Sequence, residues 1–142
     1  MTDTDPTPGA DASRPGPAGT IVVGYSDKPE GRAALARAIR IARGSSAEIV
    51  IVHTSPDDEV ASLREEMQAT GLTYEIHQAP DVLDPAEELI KVSEAATDAM
   101  IVIGLRRRSP VGKLLLGSNA QRVLLDASCP VLAVKAEGPG GR

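Results

Sequence analysis

The feature that most constrains this chain is a regular alternation of short β-branched segments with longer segments of helical character. Five strand candidates follow one another at residues 20–25, 47–54, 72–78, 99–104 and 130–135. The first, second and fourth are continuously apolar, as strands are when helices cover both faces of a parallel sheet. The alternation predicts an α/β domain with an open, doubly wound, five-stranded parallel sheet flanked by four helices.

Proline, glycine and acidic residues predict the ends of the first two helices. Pro29 suits a first helical turn, and Gly44 is predicted to close that helix. Asp57 or Asp58 is predicted to cap the second helix, and Gly71 follows its last turn.

The third and fourth helices have start signals of their own. Residues 84–87 read Asp-Pro-Ala-Glu, in which the aspartate is an N-cap and the glutamate is placed for a capping box. Ser118 is predicted to cap the fourth helix, which would direct Val123 and Leu124 toward the core.

The two ends of the chain differ in composition from the segment between them. Residues 1–19 are dominated by Pro, Gly, Asp and Thr, and residues 137–142 are similar. Such segments bury too little apolar surface to offset the entropy of ordering, so both are predicted to be disordered. The folded domain is predicted over residues 20–136.

Charge and cysteine content exclude several classes of protein. The 142-residue chain carries a formal net charge of −5, which argues against nucleic-acid binding. Its single cysteine, Cys129, rules out an internal disulfide, and with His53 and His77 it makes no zinc site. No apolar run approaches the roughly 18 residues of a membrane span. A cytoplasmic protein without membrane association, catalytic triad or metal site is expected.

The segment after the fourth strand carries the clearest functional signal. Residues 104–118 read GLRRRSPVGKLLLGS. Ligands of such sheets bind beyond the carboxyl ends of the strands, and a glycine there lets a ligand approach the backbone. Gly117 and Ser118 open a helix whose free amides attract an anion. The cationic side chains between them belong to Arg106, Arg107, Arg108 and Lys113. The pattern predicts a phosphate-bearing ligand; a turn, an N-cap and a solvated basic surface are the alternative.

These residues resemble the universal stress protein family. Its nucleotide-binding members carry G-x2-G-x9-G-[S/T] after the fourth strand, and Gly104, Gly117 and Ser118 match that spacing. Residues 129–135, CPVLAVK, are similar to the family's closing strand. The resemblance extends over nearly all of residues 20–136 and implies a Rossmann-like fold of the adenine nucleotide alpha hydrolase type.

Two positions depart from the nucleotide-binding pattern. Arg107 stands in place of the second glycine, where it adds bulk and a potential phosphate donor. Ser26 stands where the family often has an aspartate, and Asp27 follows one residue late, on the other face of an extended segment.

The resemblance implies a stress-response regulatory protein that binds an adenine nucleotide, ATP with magnesium, and is not an enzyme. The candidate binding residues are Gly24, Tyr25, Ser26, Asp27, Thr54, Gly104, Arg106, Arg107, Arg108, Gly117, Ser118 and Asn119. Two alternatives stay open: a nucleotide-independent dimeric adaptor, and a weak ATP hydrolase or autophosphorylating protein.

The last strand leads to a separate prediction. If residues 130–135 form an edge of the sheet, their unpaired backbone groups can join a second chain. The resemblance implies dimerisation of this kind, so a homodimer is predicted, together with a regulatory protein partner whose identity stays open.

Overall fold

The computed structural model describes residues 19–80, 84–107, 114–115 and 117–136, with Arg107, Leu114 and Leu115 described by their backbone alone. The elements are β1 Thr20–Gly24, α1 Pro29–Ser45, β2 Glu48–His53, α2 Asp57–Thr70, β3 Tyr74–Gln78, α3 Pro85–Ala95, β4 Ala99–Arg107, β5 Leu114–Leu115, α4 Ser118–Asp126 and β6 Val131–Lys135. The predicted α/β fold with four helices is confirmed. The predicted disordered ends lie outside the described residues, Gly19 excepted.

The parallel part of the sheet has the strand order β3-β2-β1-β4-β6. β1 lies at its centre and pairs with β2 on one side and β4 on the other. The chain winds outward from β1 in one direction through β3 and then crosses back to β4. The strand order therefore reverses between β1 and β4, and a crevice forms at such a point above the carboxyl ends of the strands.

β4 runs three residues past its predicted end, and β5 was not predicted. The extension pairs antiparallel with β5, Arg106 opposite Leu115 and Arg107 opposite Leu114. Gly104 therefore lies inside β4, not after it. A two-residue strand has no periodicity of its own, so the sequence pattern contains no sign of this hairpin.

Three predicted helix ends are confirmed. α1 begins at Pro29, which lies in its first turn. The Asp84 carboxylate accepts a hydrogen bond from the backbone N–H of Glu87 at 2.9 Å, as an N-cap does. Gly71 closes α2 with a positive φ of 74°, a conformation that costs glycine little.

Three predicted ends are wrong by one or two residues. α1 runs through Gly44 and closes at Ser46, which takes the left-handed conformation with φ 64°. The N-caps of α2 and α4 are Pro56 and Gly117, so Asp57 and Ser118 are the first helical residues. An acidic first turn favours the positive end of a helix without capping it, which explains the error at α2.

The core has two apolar layers, one on each face of the sheet. Val23 and Ile51 belong to the layer under α1 and α2, whereas Val22 and Ile101 belong to the layer under α3 and α4. Val123 is fully buried, but Leu124, also predicted to face the core, is 39% exposed. Consecutive helical residues point about 100° apart, and the buried face of α4 is narrow enough that Val123 is the residue it buries. No helix in the described ranges combines the length and apolar character needed to cross a bilayer.

Candidate functional site

A cavity of about 220 Å³ lies at the carboxyl ends of β1, β2 and β4, where the strand order reverses. We call it the strand-end cavity. It is lined by Gly24, Tyr25, Ser26, Glu30, Gly31, Val52, His53, Thr54, Pro85, Leu89, Ile103, Gly104, Asn119, Ala120 and Val123. Aliphatic side chains from the sheet and from both α3 and α4 stand beside a few polar groups. This combination suits a flat, mostly apolar ligand with polar edges.

A second cavity of about 200 Å³ adjoins the first, and we call it the helix-end cavity. The two share Glu30, Gly104, Asn119 and Ala120. The rest of its lining is Leu105, Arg106 and Gly117. Gly117 is the N-cap of α4, so the unpaired backbone amides of the first helical turn lie beside this cavity. Together with the Arg106 guanidinium, they favour an anionic group here.

Glycines let α1 approach the sheet closely enough to form one side of these cavities. A Cβ atom on Gly104 would overlap the backbone carbonyl oxygen of Glu30, and one on Gly31 would overlap the backbone of Ser26. The sequence indicated that Gly104 admits a ligand to the backbone. In the structure it admits the first turn of α1 instead, and this contact brings Glu30 to the cavities.

Tyr25 is held in the cavity lining by a chain of polar contacts from α2. Arg32 Nη1 donates to the Tyr25 hydroxyl at 3.0 Å, and the same guanidinium makes two hydrogen bonds to Glu66 at 3.1 and 3.2 Å. The hydrogen bond to Tyr25 raises the pKa of Arg32 above its ordinary value, and the Glu66 carboxylate adds to this rise. The bidentate geometry restrains the arginine, and through it the orientation of the tyrosine.

His53 lies at the end of β2, buried and in the lining of the strand-end cavity. Its Nδ1 atom accepts a hydrogen bond from the backbone N–H of Ser55 at 3.0 Å. Burial lowers the pKa of His53, and the charge of His77 lowers it further, against a smaller opposite effect of Asp57. The ring is therefore neutral near pH 7 and carries its proton on Nε2. By sequence this histidine was considered as a potential zinc ligand, and its place in the lining was not predicted.

Glu30 is a further polar residue of the lining that the sequence did not single out. It lies in the first turn of α1, and its side chain is 22% exposed. Its Oε2 atom is 3.6 Å from Arg106 Nε, an ion pair between α1 and β4. Only the crossing of these two elements reveals this position, because an acidic residue in a first helical turn is ordinary by sequence.

The structure brings together most of the residues predicted to bind a ligand. Those that line one or both cavities are Gly24, Tyr25, Ser26, Thr54, Gly104, Arg106, Gly117 and Asn119. Asp27 and Ser118 are exposed and lie outside both linings, and Ser118 makes no capping hydrogen bond. Arg107 belongs to β4 by its backbone, and Arg108 lies outside the described residues.

An arginine on α4 ties together the two helices that face the strand-end cavity. Arg122 donates to Asp84 at 3.2 Å, to Glu87 at 2.9 Å and to Asp126 at 3.4 Å. The hydrogen bond to Glu87 is the main cause that raises the pKa of Arg122. The Glu87 carboxylate thus contacts α4 and does not complete the predicted capping box. The start of α3 is held against α4, which sets the spacing of their cavity-facing residues.

The described residues contain no group of three or more His, Cys, Asp or Glu side chains able to hold a metal ion. Protein ligands for magnesium are therefore not assigned.

Residues 18–83 and 63–135 match the sequence model of the universal stress protein family. This chain belongs to the universal stress protein family. A universal stress protein of Mycolicibacterium smegmatis is 40% identical, in an alignment that covers 83% of this chain and 98% of the relative. The predicted family is thereby confirmed.

Two solved universal stress proteins of similar fold were determined with nucleotides. One, from Archaeoglobus fulgidus, is a complex with dAMP; it is 25% identical, with a TM-score of 0.56 over 82% of this chain and 97% of that one. The other is a complex with cAMP; it is 25% identical, with a TM-score of 0.62 over 82% of this chain and 96% of that one.

Proposed function

We propose that this universal stress protein binds an adenine nucleotide across the strand-end and helix-end cavities and acts as a regulatory protein. The observation that carries the proposal is the contact between the two cavities. A mainly apolar cavity adjoins one supplied with helix amides and an arginine. A nucleotide has the same two parts in the same order, a flat base and a phosphate, with a sugar between them.

The chemistry of the lining orients the ligand. The base packs among the aliphatic side chains of the strand-end cavity, such as Val52, Leu89 and Ile103. The phosphate lies in the helix-end cavity, near Gly117 and the guanidinium of Arg106. The dAMP and cAMP complexes of the two solved relatives support a ligand of this class. ATP, named by the sequence resemblance, is the triphosphate member of the class to be tested.

The proposed role is binding and not turnover. A bound nucleotide changes the output of a regulatory protein when two conformations of that protein differ in affinity for it. The cytoplasmic location, the stress response and the protein partner stay predictions from the sequence.

Calorimetric titration with AMP, cAMP, ATP and adenosine tests the proposal. We expect a micromolar dissociation constant, about 8 kcal/mol of binding free energy, for at least one nucleotide. Replacing Arg106 by alanine should weaken nucleotide binding about tenfold, since a hydrogen bond to a charged group contributes roughly 1.5 kcal/mol. The affinity for adenosine, which has no phosphate, should not change.

The matched control is Arg43→Ala, which removes the same charge from the exposed last turn of α1. Equal losses in both variants would assign the effect to net charge. Absence of heat and of thermal stabilisation with all four compounds would refute nucleotide binding.

We also propose that β6 joins two copies of this chain. Among the described strands, β6 pairs with β4 alone, so its other edge presents unpaired backbone groups. Light scattering over a dilution series is expected to give about twice the monomer mass, and hydrogen exchange should show protected amides along Val131–Lys135. A monomer mass at high protein concentration would contradict the proposal.

A further inference from the structure

Glu30 occupies the junction of the two cavities. Among the described residues, four line both cavities, and Glu30 is the one of these four with an ionisable side chain. Two contacts hold Glu30 in this position. Its backbone packs on Gly104, where a side chain would not fit, and its Oε2 atom pairs with Arg106 at 3.6 Å.

A carboxylate is a poor neighbour for phosphate and a good one for hydroxyl groups. Two negative charges repel each other, whereas a carboxylate oxygen accepts short, charge-assisted hydrogen bonds from O–H donors. In a nucleotide that spans both cavities, the group at their junction is the sugar. The Glu30 carboxylate therefore faces the part of the ligand that carries hydroxyl donors.

The other polar residues near the first strand do not offer a comparable acceptor. Asp27 is exposed and outside both linings. The Ser26 hydroxyl oxygen already accepts a hydrogen bond from the backbone N–H of Lys28 at 3.3 Å. Glu30 is thus the carboxylate that the described part of the site presents to a sugar.

From this placement we infer that Glu30 accepts hydrogen bonds from the ribose hydroxyls and makes the site selective for ribonucleotides over deoxyribonucleotides. This inference rests on the proposed nucleotide binding. It adds a specificity-determining residue that the motif after β4 does not contain.

The test compares AMP, 2′-deoxy-AMP and 3′-deoxy-AMP by calorimetry on the full chain, first with the wild-type protein and then with Glu30→Gln. The wild-type protein is expected to bind AMP about tenfold more tightly than at least one deoxy form. This factor corresponds to the free energy that one charge-assisted hydrogen bond contributes. Glu30→Gln should reduce that ratio of affinities to below about threefold, chiefly by weakening the binding of AMP. Glu94→Gln, which removes the same charge from the exposed surface of α3, should keep the wild-type ratio.

Each outcome has one meaning. Equal wild-type affinity for AMP and both deoxy forms overturns the inference, whether or not the variant folds. A Glu30→Gln protein that binds all three compounds more tightly by the same factor overturns it too, because the carboxylate then repels phosphate. Wild-type protein that binds none of these three compounds, and neither ATP nor cAMP, refutes the proposed function itself.

Discussion

Replacing Gly104 by alanine is expected to lower the free energy of unfolding by about 3 kcal/mol, the upper part of the range for overpacking a tight contact. The added Cβ would overlap the Glu30 carbonyl oxygen and lie 2.5 Å from its carbonyl carbon. Backbone atoms cannot rotate away as a flexible side chain can, so α1 must shift from β4. Urea unfolding followed by circular dichroism measures the loss by linear extrapolation.

Glycine positions elsewhere in the chain provide the matched control. A Cβ on Gly44 would meet nothing within 4 Å, and this residue lies inside α1. Gly44→Ala is therefore expected to stabilise the protein by about 0.5–1 kcal/mol, the difference in helix propensity. If the Gly104→Ala protein were as stable as the Gly44→Ala protein, that result would contradict the close contact between α1 and β4.

Replacing His77 by alanine is expected to cost about 2–3 kcal/mol of folding free energy. The Glu88 side chain is 4% exposed, and its Oε2 atom lies 2.5 Å from His77 Nε2. Its Oε1 atom is buried and has no hydrogen-bond partner within the part of the chain that the structure describes. Removing the histidine leaves the buried Glu88 carboxyl group without this hydrogen bond, and a buried polar group left unsatisfied costs about 1–3 kcal/mol.

A second carboxylate beside the same histidine provides the comparison. Glu75 Oε2 is 4.0 Å from His77 Nδ1, but its side chain is 63% exposed. Glu75→Gln should change the unfolding free energy by less than about 1 kcal/mol, as exposed ion pairs do. The double variant His77→Ala with Glu88→Leu should regain much of the loss, because no unsatisfied carboxyl group is then buried. Equal, small effects of His77→Ala and Glu75→Gln would show that the buried pair contributes little.

Glu88 shows why a buried carboxyl group is hard to predict from sequence. It lies in the first turn of a helix with the pattern Pro-Ala-Glu-Glu-Leu, where Glu87 and Glu88 look alike. Glu87 contacts Arg122 at the surface, whereas Glu88 is buried against β3. Which of the two faces the sheet depends on the rotation of α3 about its axis when it packs.

The predicted binding residues also divide into those whose place follows from local sequence and those whose place depends on packing. Those at the ends of buried strands, such as Tyr25 and Thr54, lie in the cavity lining as predicted, because parallel strands bring their carboxyl ends to one edge. Asp27, three residues beyond the end of β1, does not. His53 and Glu30 lie in the lining without having been predicted, since neither belongs to a recognisable motif.

The sequence by itself determined the order of strands and helices, the two-layered burial of the sheet and the general place of the site. These follow from local patterns: apolar runs of strand length, start signals such as Asp84-Pro85, and glycines at turns. The tertiary structure alone decided that the extended end of β4 pairs with β5, that Gly104 accommodates α1, and that Glu30 lies between the two cavities. Each of these is a contact between segments that are separated in the chain. Such contacts depend on how the elements dock, which no local periodicity encodes.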